Sequence, residues 1–264
     1  LLTRREKVSP YSLDLINRLI SEGIVFTFAT ARSFRSATSA VEGLNINAPA
    51  ILYNGGLICN LARKEVLRAI CFDDTTKYFV LDELKKHGIN PLVFGATAER
   101  EYMSWITGNE TPGEKRYLSR RAGDERLRPV NCAEELMRGE VFYFKCIGPK
   151  EQLERAWNVL KYDSRIICIF HQETYQSDFW MEISPRSATK ANGVAYLKEK
   201  LGFDRVICFG DTSNDSDMFD VCDEKYAVMN ADEWLKAKAT GVIGYCEEDG
   251  VAKWLAANAA HKNM

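Results

Sequence analysis

The sequence predicts an α/β protein, a core built on a parallel sheet and split by an inserted α+β unit. Three observations predict it. Ile24–Ala29 and Val206–Phe209 are almost wholly apolar runs, the pattern of strands buried on both faces of a parallel sheet. Each is flanked by segments of helical period, and strands alternating with helices imply right-handed crossovers. The stretch between these regions has a different texture, richer in charge and with strands that alternate polar and apolar residues. The core is therefore expected over 1–70 and 181–264, with the insertion over 71–180.

The elements follow in order. Ser9-Pro10 reads as an N-cap with proline at the first helical position, Leu13, Ile16 and Ile20 recur at helical spacing, and Gly23 closes the helix. The strand at 24–29 comes next, then a helix over 34–43 and a short strand, Ala50–Tyr53, stopped by Asn54-Gly55-Gly56. In the insertion, a helix is expected at 75–87, with Asp73-Asp74 at its start, and strands at 91–95 and 101–106. A polar stretch over 107–129 follows. The strand at 141–146 alternates as if half-buried, a helix at 150–161 carries Leu153, Trp157 and Leu160 on one face, and a strand spans 166–170. The core pattern resumes with a helix at 189–201, the strand at 206–209, a helix at 216–222, a strand at 226–229, a helix at 231–238 and a last helix from Asp249.

Composition narrows the function. With 264 residues, 35 Lys and Arg against 37 Asp and Glu, and a net charge of -2, the chain lacks the basic footprint of a nucleic-acid or anionic-membrane binder. No apolar run is long enough for a transmembrane helix. Eight cysteines occur without a C-x-x-C pair, and Cys146, Cys168 and Cys208 sit within apolar runs as small hydrophobes. That usage predicts a reducing, cytoplasmic setting. No G-x-G-x-x-G follows a strand, which argues against a dinucleotide-binding reductase.

The chemistry gathers at strand and helix ends. The run Val206–Phe209 ends in Gly210-Asp211-Thr212-Ser213-Asn214-Asp215, and ligands of open parallel sheets bind beyond the carboxyl ends of strands. Two carboxylates and an amide so close together suit Mg²⁺; the plainer reading is a helix cap. Thr30 ends the run at 24–29, where its hydroxyl and the N–H groups around Ala31 could cradle a phosphate. Lys190 opens a helix whose macrodipole opposes its charge, so an anionic ligand would give it a reason to be there.

These residues resemble the haloacid dehalogenase (HAD) superfamily, and in particular its Cof-type phosphatase branch with a large α/β cap. The resemblance is carried by Phe28-Ala29-Thr30-Ala31-Arg32, Leu52-Tyr53-Asn54-Gly55-Gly56, Lys190 and the segment 210–215. The tail adds Tyr226–Ala231, Lys236–Ala239 and Glu248–Val251. It implies a HAD-like Rossmannoid core and a Mg²⁺-dependent phosphohydrolase acting on a small phosphorylated metabolite such as a sugar phosphate. Carried over residue by residue, Thr30 would bond the transferring phosphoryl group, with Ala31 beside it, and Lys190 would neutralise its charge. Asn214 would contact phosphate, Asp211 would bind Mg²⁺, and Asp215 would support the metal or Lys190. Substrate contacts from the cap would come from among Arg100, Tyr102, Trp105, Arg116, Arg120, Trp180 and Glu182.

The sequence departs from the pattern in three places. Ala31 stands where glycine is usual, and Thr212-Ser213 where the family commonly has Gly, Glu or Gln. The first motif, a strand ending Asp-x-Asp whose first Asp is the nucleophile and second the acid/base, would precede Leu1. About ten further residues upstream are therefore expected, forming a strand between 24–29 and 206–209, because without it buried backbone groups on both would lack partners. Two other readings stay open: a phosphotransferase or phosphomutase of the same fold, and a non-catalytic binder of phosphorylated metabolites. No obligate protein partner is evident.

Overall fold

The computed structural model describes residues 1–172 and 177–259. Helix α1 (Pro10–Ser21) starts where Ser9 Oγ accepts from the Ser12 N–H, and it ends with Gly23 at φ 104°. Residues 24–29 then run beneath the core without forming a ladder. Their one bridge is parallel, Ala29 to Ile51, and Asn47 holds Phe26 N and Ile24 O through its side chain. The expectation of a strand buried on both faces is corrected here: Val25 is 45% exposed. An apolar run becomes a strand only where backbone partners lie alongside, and here they lie on one side and only near its end. Helix α2 (Phe34–Ala40), strand β1 (Ala50–Leu52) and strand β2 (Leu57–Asn60) follow, β1 and β2 forming an antiparallel pair around the Tyr53–Gly55 turn.

The chain divides into two compact units, residues 1–64 with 189–264, and residues 65–188. The second contains β3 (Glu65–Ala69), α3 (Asp74–Lys86), β4 (Leu92–Ala96), β5 (Glu101–Ile106), α4 (Pro112–Ser119), β6 (Leu127–Val130), α5 (Ala133–Leu136), β7 (Glu140–Gly148), α6 (Lys150–Leu160), β8 (Ile166–Gln172) and β9 (Phe179–Pro185). Six of its strands form one sheet in the order β6-β5-β4-β7-β9-β8. Because β9 pairs with both β7 and β8, residues 181–185 belong to this sheet. Val80, Leu84, Leu153 and Leu160 of α3 and α6 join Phe144 and Cys146 of β7 in its apolar core.

Two expectations for this unit are corrected. The polar stretch 107–129 contains α4 and β6. Thr111 and Glu114 form a reciprocal capping box with Pro112 at the first turn, which starts a helix without any apolar run. Strand β7 is buried along nearly its whole length, not on one face. Its second face carries Lys145, whose ammonium lies 4.2 Å from the Trp180 ring centroid and 5.2 Å from that of Tyr117 on α4. The unexpected helix thus helps cover the face that alternation assigned to solvent.

The first unit resumes with α7 (Lys190–Leu201), β10 (Ile207–Gly210), α8 (Ser216–Val221), β11 (Glu224–Val228), α9 (Glu233–Lys238), β12 (Gly241–Ile243) and α10 (Gly250–Ala259). Strands β10, β11 and β12 pair in parallel in that order. Among the described residues β10 has one ladder partner, β11, so its other edge and the corresponding edge of 24–29 are not paired with each other. Leu15, Ile16 and Leu19 of α1 pack with Leu197, Phe219, Val228 and Leu255 in one apolar cluster, and Leu1 lies against it. No helix among the described residues is long and apolar enough to cross a membrane.

Candidate active site

The first unit draws its polar strand ends together through a continuous chain of contacts. Thr30 N donates to Ile51 O at 2.9 Å, and the Thr30 carbonyl accepts from Asn54 N at 2.9 Å. The Thr30 hydroxyl accepts from Arg32 N at 3.2 Å, which fixes it at the mouth of the turn beside the exposed Ala31. The next contact needs glycine. Gly55 has φ 103°, and a Cβ there would sit 2.0 Å from the Thr189 carbonyl oxygen. The turn after β1 therefore lies directly on the backbone that opens α7.

Thr189 is the N-cap of α7, its hydroxyl accepting from Asn192 N, and Lys190 is the first helical residue. A lysine there opposes the helix dipole, and the structure supplies counter-charge. Lys190 Nζ lies 2.6 Å from Asp215 Oδ1 and 3.3 Å from Asn214 Oδ1. The Lys190 and Asp215 side chains are 5% and 7% exposed. Asp217 Oδ2, a residue the sequence reading did not single out, accepts from Ala191 N at 3.3 Å. Its only sequence signal is a carboxylate two residues beyond a metal-like motif.

Asp215 turns back under β10. Its Oδ2 accepts from Asp211 N at 2.9 Å and Thr212 N at 3.3 Å. That fold depends on Gly210, where a Cβ would lie 2.8 Å from the Asp215 Cβ. Both oxygens of Asp215 are thus engaged within the protein, whereas Asp211 stands at the exposed strand end. Partial burial, then the charge of Asp215, push the Asp211 carboxyl above its ordinary range. Asn214 Oδ1 also accepts from Thr212 Oγ1 at 2.8 Å, leaving its amide NH₂ as the end able to meet an anion.

Among the described residues no group of three or more His, Cys, Asp or Glu side chains converges as a ready-made metal cage. The donor set fits Mg²⁺ in a looser way. That ion takes one or two carboxylates and completes its shell with water and phosphate oxygens, and a cation at Asp211 would relieve the repulsion from Asp215. Leu1 enters at this same place, its backbone nitrogen buried within electrostatic reach of Asp211 and Asp215.

In the second unit, several of the expected substrate contacts have partners of their own. Tyr102 Oη donates to Arg138 O at 3.0 Å, Trp105 Nε1 donates to Glu110 at 2.9 Å, and Arg116 pairs with Asp178. Glu182 binds Lys145 at 2.9 Å, and Trp180 packs edge-on against Tyr117. Arg100 lies in the turn closed by Thr97, and Arg120 caps the end of α4.

Comparison with known proteins agrees with this architecture. The chain is 23% identical over 282 residues to the 5-amino-6-(5-phospho-D-ribitylamino)uracil phosphatase of Bacillus subtilis, covering 97% of this chain and 93% of that protein. It is 24% identical over 262 residues to an HMP-PP phosphatase of Serratia proteamaculans, covering 97% and 90%. Among solved structures, a haloacid dehalogenase-like hydrolase from Bacteroides thetaiotaomicron superposes with a TM-score of 0.75 at 19% identity, over 97% of this chain and 95% of that one. One from B. subtilis gives 0.72 at 20%, over 97% and 95%. The sequence profile of the haloacid dehalogenase-like hydrolases matches residues 1–255, and the chain belongs to that family.

Proposed function

We propose that the protein is a Mg²⁺-dependent phosphatase of small phosphorylated metabolites. The observation that carries the reading is the unbroken run of contacts from Thr30 through Asn54, Gly55 and Thr189 to Lys190, Asp215 and Asp211. It gathers a hydroxyl, an ammonium and a carboxylate that a phosphate monoester and its cation require. The names of the curated relatives, both phosphatases, point the same way.

In this reading Thr30 and the backbone N–H of Ala31 hold the phosphoryl oxygens, and the Asn214 amide supplies a further donor. Lys190 offsets the phosphate charge, held in place by Asp215 so that it need not reorganise when substrate arrives. Asp211 holds Mg²⁺, with Asp215 standing behind both. The bound ion would supply Lewis-acid neutralisation of the phosphoryl oxygens. The nucleophile and the acid/base are assigned to a strand preceding Leu1. Among the described residues, the unpaired edges of β10 and of 24–29 support that assignment.

The test is phosphate release from a panel of monoesters by the natural-length protein, with Mg²⁺ and with chelator, alongside Lys190→Ala and Asp211→Asn. The expected result is Mg²⁺-dependent turnover that both variants abolish. A folded natural-length protein that binds phosphate yet releases none would make it a binding protein. Transfer to an added alcohol in preference to water would make it a phosphotransferase.

A further inference from the structure

Helix α7 carries a lysine at its first position, and its own first turn contains no acidic residue to offset that charge. The positive end of the macrodipole and the Lys190 ammonium therefore meet at one place. The first N–H groups of a helix also need partners that the helix cannot supply. Thr189 serves two donors, its hydroxyl accepting from Asn192 N at 3.1 Å and its carbonyl from Gly193 N at 3.1 Å. The Ala191 N–H turns to another helix: it donates to Asp217 Oδ2, a carboxylate on α8, at 3.3 Å.

The other oxygen of Asp217 accepts from Met218 N at 2.9 Å within α8. That bond alone would serve the start of α8 and would not require Oδ2 to reach α7. Asp215, two residues earlier, holds the same turn of α7 by a different handle, the Lys190 ammonium at 2.6 Å. The segment 215–217 thus grips α7 twice, once at a side-chain tip and once at the backbone of the next residue. The same turn also lies close on β1, where a Cβ at Gly193 would sit 2.7 Å from Ile51 Cγ2. An ammonium rides on a flexible four-carbon stem, so its ion pair fixes it only when the helix start beneath it is fixed as well.

Resting on the phosphatase reading, we propose that Asp217 is a positioning residue for Lys190. In that reading it touches neither phosphate nor metal. Its carboxylate anchors the first turn of α7 to the segment that follows Asp211, and its charge offsets the positive helix end against which Lys190 stands. Lys190 is thereby kept in register with the end of β10, where a misplacement of about 1 Å is felt in the rate. Because the phosphoryl group is common to every monoester, the effect of Asp217 is independent of the leaving group.

The experiment measures kcat/KM and thermal unfolding of the natural-length protein as wild type, Asp217→Ala, Asp217→Asn and Asp223→Ala. The probes are phenyl phosphate and ribose 5-phosphate, with Mg²⁺ present. Asp223 is the control, since it ties the far end of the same helix, accepting from Lys198 Nζ and Val206 N at 2.8 Å each. Asp217→Ala should lose roughly tenfold in kcat/KM on both probes. Asp217→Asn, whose carboxamide oxygen still accepts from Ala191 N, should return to within about threefold of wild type, and Asp223→Ala should lose less than about twofold despite a comparable fall in Tm. No loss in Asp217→Ala, a loss that Asp217→Asn does not recover, or one that Asp223→Ala shares would overturn the inference and leave Asp217 a packing residue. Should Asp217→Ala fail to fold, Asp217→Ser, too short to reach Ala191, carries the same comparison. If wild type turns over neither probe, the phosphatase reading fails on its own, and calorimetric affinity for inorganic phosphate with Mg²⁺ reads the same four proteins. A wild type that binds no phosphate overturns the Asp217 inference as well.

Discussion

Lys190 and Asp215 form an ion pair at 2.6 Å that the protein has taken almost wholly out of water. Desolvating both charges consumes much of their attraction, so such a pair adds little net stability, but removing one partner strands the other. Lys190→Met and Asp215→Asn are each expected to destabilise the first unit by about 3–5 kcal/mol. The double variant should be more stable than the sum of the two predicts. Urea unfolding of the four proteins measures the coupling, and strict additivity would show that the two charges act independently.

Gly55 and Gly108 are both glycines at positive φ, and only one is hemmed in. A methyl group at Gly108 meets nothing within 4 Å, so Gly108→Ala should cost about 1 kcal/mol from backbone strain alone. At Gly55 the same methyl would overlap the Thr189 backbone, and Gly55→Ala should cost about 4 kcal/mol or more. It should also displace the start of α7, and with it Lys190. Thermal unfolding and phosphate affinity measured together distinguish the two variants. Similar behaviour would mean that the Gly55–Thr189 contact is not needed.

The parts of this site legible in the sequence are those written in local chemistry. Ser9-Pro10 announces a helix start through its capping side chain, and Thr30 and Asp211 are visible as polar residues ending apolar runs. What eluded the sequence depends on partners distant in the chain. Residues 24–29 have the composition of a buried strand, but a ladder needs neighbours, and composition does not say who they are. The Lys190–Asp215 pair joins residues 25 positions apart, which no local spacing encodes, and only the family resemblance offered Lys190 as one of the two partners of Asp215. Helix α4 is the opposite case. Its capping box at Thr111 and Glu114 is written plainly, but an absence of apolar periodicity hid it within a charged stretch.

Glu114 provides a pH-dependent test of the second unit. Burial pushes its carboxyl from 4.5 up to about 7, against the hydrogen bonds it accepts at Thr111. Between those values the folded chain keeps a proton that the unfolded chain has released, so this contribution makes stability fall as pH rises through the window. The whole effect is on the order of 3 kcal/mol. Glu114→Gln, which keeps the acceptor for Thr111 N, should match wild type near pH 4 and exceed it in stability near pH 8. The difference between the two pH–stability curves isolates Glu114, and a flat difference would mean that its carboxylate is comfortably solvated.

Asp211 carries the metal assignment, and thermal stability tests it without relying on turnover. A cation that binds the folded state alone stabilises it by about 2.7 kcal/mol at one hundred times its dissociation constant. Mg²⁺ should therefore raise the Tm of wild type, and chelator should reverse the rise. Because burial and Asp215 already push the Asp211 carboxyl upward, protons compete with the ion, so the Mg²⁺-induced shift should shrink as pH falls. Asp211→Asn removes the anionic ligand together with the repulsion from Asp215. It should unfold at or above the wild-type temperature without Mg²⁺, and show no shift with it. A Mg²⁺ shift that survives in Asp211→Asn would move the ion away from the end of β10.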